Sequence, residues 1–264
     1  MWQYIGVDWD SGGWLAVGIS DAKLCGAAVF TDITALWREL GSAASRIVID
    51  VPIGLCESVE NDAPDGFHLT DGQISRICDD LARPLLGRRS SSVFTTPCRS
   101  VVRKAGEGAP YKSLNAENRR CTGKGLSVQA KGIASGIDQV DRFLIDGGEP
   151  ERLLEGHPEL AFRALAQRPL KYAKTCAQGI AERLAILESS SEYEHGDWRR
   201  LASILAEEQD HKTGMDDLLD AMVLAITAAA PEGHFHSLPE NPPSDAKGLP
   251  MQMVYRRTQP FGER

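Results

Sequence analysis

Tyr4-Ile5-Gly6-Val7-Asp8 and Arg46-Ile47-Val48-Ile49-Asp50 decide how this sequence is read. Each is a short apolar run that stops on a carboxylate, the pattern of a strand buried in a parallel sheet. If the two strands are neighbours, Asp8 and Asp50 meet at one sheet edge. Close carboxylates repel, so the pair calls for a shared proton or a shared cation.

Outward from the first run, Trp9-Asp10-Ser11-Gly12-Gly13 is a turn, and Trp14–Ile19 and Gly26–Phe30 are strands on short connections, an antiparallel meander. A short helix over Ile33–Leu40 then crosses over, which makes the strand at 46–50 parallel to a neighbour. Residues 56–70 read as a loop and Asp71–Leu86 as an amphipathic helix. Gly87–Arg99 reads as an extended basic loop, 104–126 as a polar, glycine-rich connection and Val128–Leu144 as a long helix. A short strand follows within Arg152–Glu159, ending at Pro158. Helices are expected at Leu160–Ala166, Gly179–Leu187 and Trp198–Glu208. Thr213-Gly214-Met215-Asp216 has the form of a capping box before a helix that is apolar nearly all round after Asp220, and so buried on the sheet. Residues 231–249, rich in Pro and Gly, are expected to be mobile, and Met251–Tyr255 is a candidate last strand.

The expected fold is therefore α/β, one domain over residues 1–264, with a mixed five-stranded sheet in the order 3-2-1-4-5 flanked by helices. A long helical insertion, about residues 52–150, separates its fourth and fifth strands, because that stretch is too long for a simple connection.

The totals narrow the function classes. At 264 residues, 42% hydrophobic and 25% charged, the chain has the composition of a soluble globular protein. No apolar run is long enough to span a bilayer and no signal-peptide pattern opens the chain, so no membrane partner and a cytoplasmic location are expected. The formal charge of -8 argues against coating nucleic acid by bulk charge, without excluding a local basic groove. The scattered cysteines form no CxxC pair and read as reduced thiols. Oligomeric state is open, a homo-oligomer included.

One constellation stands out. Asp8, Asp50 and Glu155 end strands, and Asp217 and Asp220 are spaced to share one face of a helix start. Each acid alone would read as a cap. Together at one crevice they form an oxygen-rich set suited to Mg2+ or Mn2+ rather than zinc, in support of phosphodiester cleavage. A second group, Arg76, Arg83, Arg88, Arg89, Ser90, Ser91 and Arg99, has forks and hydroxyls suited to phosphate, against a salt-bridged face with Asp79 and Asp80. His157 lies between Glu155 and Glu159 as a candidate acid/base, or else as a backbone-bonded core histidine. Asp8 with Ser11-Gly12-Gly13 is a weak phosphate-turn pattern, more readily a plain hairpin.

Taken in order, Gly6-Val7-Asp8, Gly12-Gly13-Trp14, Ile49-Asp50-Val51-Pro52-Ile53-Gly54-Leu55, Arg76-x-Cys78-Asp79 with Ala82-Arg83, and Arg89-Ser90-Ser91-x-Val93-Phe94 form a series. Gly125-Leu126-Ser127-x-Gln129, Glu155-x-His157-Pro158-Glu159 and Asp216-Asp217-x-Leu219-Asp220-Ala221 complete it. The series resembles the DUF429 family, predicted nucleases with a ribonuclease H-like fold, over about residues 4–255. The resemblance implies metal ligands at Asp8, Asp50, Glu155 and Asp217 or Asp220, and substrate contacts including Gln129. A departure is Trp9, where the family often has glycine; its ring beside the metal would restrict or stack a nucleobase. The expected activity is a divalent-metal-dependent nuclease on a nucleic acid or nucleotide. The rivals are a phosphotransferase or ATPase of the actin and sugar-kinase type, which normally needs a second copy of the domain, and a non-catalytic nucleic-acid or nucleotide-binding module.

Overall fold

A computed structural model describes residues 1–10, 12–57, 65–207 and 212–262. Strands β1 (Tyr4–Asp10), β2 (Gly13–Ser20) and β3 (Lys23–Phe30) form the antiparallel meander. Helix α1 (Ile33–Leu36), extended by a π turn at Trp37–Gly41, leads to β4 (Arg46–Ile49), which lies parallel to β1. The chain then forms a hairpin, β5 (Phe67–Thr70) and β6 (Gln73–Arg76), before α2 (Ile77–Leu86). A 3-10 turn (Gly87–Ser92) precedes α3 (Arg99–Gly106), α4 (Tyr111–Thr122) and α5 (Val128–Ile145). Strand β7 (Leu153–Glu155) returns to the sheet parallel to β4. Helices α6 (Pro158–Ala166), α7 (Ala177–Leu187), α8 (Asp197–Leu205) and α9 (Met215–Ala228) follow, then β8 (Phe235–Leu238) and β9 (Met253–Arg256).

The main sheet has five strands in the order β3-β2-β1-β4-β7, so the expected order holds with β7 as the fifth strand. Helices cover both faces. On one face, α9 packs its Leu219, Met222 and Val223 against Leu15, Val17, Val48 and Leu154. A methyl group on Gly6 would fall 2.1 Å from the Ala221 carbonyl oxygen and from the Ala225 nitrogen, so only glycine lets α9 approach β1 this closely. On the other face, Ile137, Val140 and Leu144 of α5 meet Ile5, Val7, Ile47, Ile49 and Leu153. Each such side chain contributes about 1.5–3 kcal/mol on burial.

Several local expectations are corrected. The helix expected from Asp71 begins only at Ile77, because Asp71 and Gly72 take positive φ (51° and 70°) and turn the β5–β6 hairpin. Asp-Gly between extended segments is a strong hairpin signal, and here it outweighs the helical spacing of Arg76, Asp79 and Arg83. The polar stretch 104–126 is mostly helical, in α3 and α4, with Leu114 and Cys121 buried. The basic segment after Gly87 is a 3-10 turn before it becomes extended. The capping box is absent: Gly214 is the N-cap of α9 with no side-chain cap, and the Thr213 hydroxyl is buried without a hydrogen-bond partner among the described residues. Asp216 and Asp217 complement the helix dipole there instead. Within 231–249, residues 235–238 form β8, and β9 pairs with it in a separate two-stranded sheet rather than joining the main one. Of the expected elements, Ser11 in the first turn, 58–64 in the loop and Glu208 at a helix end lie outside the described residues.

Candidate functional site

Strand register builds the site. Val7 stands opposite Ile49, and Ile49 opposite Glu155. Asp50, one residue beyond Ile49, donates its backbone N–H to the Val7 carbonyl at 2.9 Å. Side chains alternate faces along a strand, so Asp8 and Asp50 share the face that Gly6 presents to α9. Glu155, level with Val7 and Ile49, turns to the opposite face.

On the α9 face the acids gather. Asp8 and Asp50 are close enough to share a hydrogen bond, and Asp217 and Asp220 lie within electrostatic reach of Asp8. Burial, with the Asp50 and Asp220 charges behind it, raises the Asp8 carboxyl well above its ordinary value. Burial also raises Asp50, against the pull of His157 and Lys174. Asp220 is pushed up to about 7 by burial, opposed by Lys174. Lys174 comes from the connection between α6 and α7. Its Nζ lies 2.7 Å from Asp220 Oδ2, 3.6 Å from Asp216 Oδ2 and 3.9 Å from Asp217 Oδ1. Burial works against the ammonium, but Asp220 and Asp8 outweigh it and hold Lys174 charged.

On the other face Glu155 is held by Arg76. Two guanidinium hydrogen bonds of 2.7 Å join them, and the Ile53 N–H donates to Glu155 Oε2 at 2.6 Å. Arg76 also donates to Asp79 Oδ1 at 2.6 Å and to the Ile53 carbonyl at 2.9 Å. All three side chains are essentially sealed from solvent, Arg76 at 1%, Asp79 at 1% and Glu155 at 2% exposure. Burial raises Glu155 to about 7 with Arg76 pulling it back. Ligand atoms of Cys78, Asp79 and Glu155 lie within 4.8 Å of one another, a spacing that would suit an ion, but the Arg76 guanidinium already bonds both carboxylates.

A cavity of about 300 Å³ opens over the acids. Its lining combines the acids and cation Asp8, Asp50, Lys174, Asp217 and Asp220 with the donors Arg89, Ser91 and Gln129 and the apolar Trp9, Phe94 and Ile133. Trp9 rests edge-on against Trp14, with ring centroids 4.6 Å apart. His157 and Glu159 also line the cavity, and each has a buried atom, Nδ1 and Oε2 respectively, with no hydrogen-bond partner among the described residues. Glu159 Oε1 accepts from Arg183 at 2.5 Å and from Arg89 at 3.3 Å.

The expected residues thus fall into groups. Asp8, Asp50, Asp217 and Asp220 come together, and His157, Arg89, Ser91 and Gln129 line the same cavity. Glu155 and Arg76 reach the cavity wall with their charged groups bonded to one another. Arg83 pairs with Asp80 and donates to the Val93 carbonyl at 3.2 Å, bracing the cavity rim from behind. Arg88 is exposed, and neither it nor Ser90 is among the cavity-lining residues. Arg99 is buried elsewhere, bonded to Asp141 at 3.0 Å and to Asp245. Lys174 and Arg183 carry no motif in sequence, and only the fold brings them to these acids.

The class that fold and site define is an α/β protein with a five-stranded mixed sheet and an acidic, cation-holding cavity at the edge where β1, β4 and α9 meet. The chain belongs to the family described as protein of unknown function DUF429, whose model matches residues 6–244. Neither curated proteins nor solved structures give a match. Among the described residues, no helix is long and apolar enough to cross a membrane.

Proposed function

We propose that the chain is a divalent-metal-dependent phosphodiesterase of ribonuclease H-like fold, with Mg2+ or Mn2+ held in the cavity where Asp8, Asp50 and the Asp217/Asp220 end of α9 converge. One observation carries this reading: acids on β1, β4 and α9 converge in an accessible cavity and already hold a cation, the Lys174 ammonium. The donor set is all carboxylate oxygen, which fits a hard ion. Three antiparallel strands followed by two parallel ones accord with the fold that the resemblance implies. When bound, such an ion polarises the phosphoryl oxygen and activates water.

The chain's own residues supply the rest. Asp50 lies within electrostatic reach of His157, which lines the cavity and whose Nδ1 has no hydrogen-bond partner among the described residues, so it is placed as the candidate acid/base. Arg89 and Ser91 offer donors to a phosphate oxygen, and Trp9 offers a fixed ring for a base. A cavity of about 300 Å³ is at the small end of ligand sites, the size for one nucleotide unit rather than a duplex. Single-stranded nucleic acid or a small nucleotide diester is therefore the expected substrate.

The test is cleavage of single- and double-stranded oligonucleotides and small diesters with Mn2+. Activity that disappears in Asp8→Asn and Asp50→Asn supports the reading. Mn2+-dependent cleavage that survives both changes overturns it, and phosphate transfer from ATP without diester cleavage would assign the site to the kinase class.

A further inference from the structure

Lys174 occupies ground that a second metal ion would need. An ammonium 2.7 Å from Asp220 Oδ2 neutralises that carboxylate and competes for the oxygen that a divalent ion there would use. The lysine does not drift in from a loose loop. Arg183 donates to the Gly179 carbonyl at 3.1 Å and the Tyr172 carbonyl at 3.4 Å, and the Cys176 thiol donates to the Ala173 carbonyl at 3.1 Å. A methyl on Gly179 would lie 1.8 Å from the Ala173 oxygen, so the turn beneath Lys174 is pressed against the start of α7. The backbone is pinned on both sides of the lysine, and only its side chain crosses to α9. Arg183 itself is buried and anchored to Glu159, so one buried arginine ties the Lys174 turn to the cavity wall.

We propose that Lys174 is the built-in second cation of this site: it holds the Asp217/Asp220 end of the acidic cavity, so that the protein takes a single divalent ion, at Asp8 and Asp50. This rests on the metal reading above and adds to it the stoichiometry and the residue that sets it. Lys174 is a positioning residue: it balances the carboxylates that α9 brings to the cavity and keeps them gathered before an ion or substrate arrives.

Counting Mn2+ on the full chain tests it, by titration calorimetry and by electron paramagnetic resonance of free Mn2+. Wild type and Lys174→Arg are expected to bind one ion. Lys174→Met is expected to bind a second, at least about fivefold more tightly than any second ion on wild type. Its metal-free thermal midpoint is expected to fall below that of wild type and to recover with Mn2+. If Lys174→Met does not fold, Lys174→Gln carries the same count. Two ions on wild type overturn the proposal, as does one ion of unchanged affinity on the uncharged variants; either result leaves the metal reading standing. No ion on any of these proteins overturns both.

Discussion

Arg76 and Lys174 are both cations among buried carboxylates, on opposite faces of one sheet edge, and they are held in different ways. Arg76 is sealed, makes paired hydrogen bonds to Glu155 and binds Asp79 as well. Its planar fork matches the carboxylates, and it stays charged at any accessible pH. Lys174 is a point charge on a flexible stem, 35% exposed, with one close contact at 2.7 Å and two looser ones. The first arrangement uses up its acids to hold the structure together. The second gathers acids at a cavity and leaves them available. Acid clusters of similar composition can therefore differ in role, and the geometry of the resident cation tells them apart.

The largest effect is expected at Arg76. Replacing it with Met leaves Glu155 and Asp79 buried without their partner, and about 3–5 kcal/mol of stability should be lost in urea unfolding. A variant as stable as wild type would mean that the Arg76 cluster is not structural. Asp8→Asn should do the opposite. Removing one of two carboxylates that repel each other should leave metal-free stability equal or higher, while Mn2+-dependent cleavage falls by at least about a hundredfold. A large loss of stability with Asn would place Asp8 in the structural class with Glu155.

The pH dependence sharpens the contrast further. Asp220 titrates at about 7 in the folded protein against an ordinary 3.8, so between those values the folded chain holds a proton that the unfolded chain has released. Its contribution to stability is therefore present below about pH 4 and is lost as pH rises toward 7. Asp220→Asn should remove that loss, so the urea midpoints of the two proteins should diverge across pH 4–7 in metal-free buffer. Parallel curves would contradict it. The smallest effect is expected at Trp9: Trp9→Ala gives up an edge-on ring pair worth about 1 kcal/mol and should weaken binding of a single-stranded oligonucleotide more than that of an abasic one.

Much of this was legible from local pattern. Apolar runs ending on Asp8 and Asp50, joined by a short crossover, suffice to place two parallel strands side by side, and the buried helix from Asp217 onward follows from its apolar surface. What the pattern missed is register and long-range placement. Glu155 ends a strand as Asp50 does, but it pairs one residue short of Asp50, and period-two alternation sends it to the other face. Arg76 has the helical spacing of a surface charge, yet it precedes its helix at the end of a hairpin strand and points inward. Lys174 lies in an unremarked connection, and its role exists only because α7 and α9 pack together.

On the proposed reading the Asp8–Asp50 cavity, and not the Arg76 cluster, holds the metal ion. The most direct measurement is a crystal soaked in Mn2+ with its anomalous signal mapped. A peak is expected between Asp8 and Asp50, with Lys174 still on Asp220 and none near Arg76. A peak at Cys78, Asp79 and Glu155 with Arg76 displaced, or no peak at either place, would contradict it.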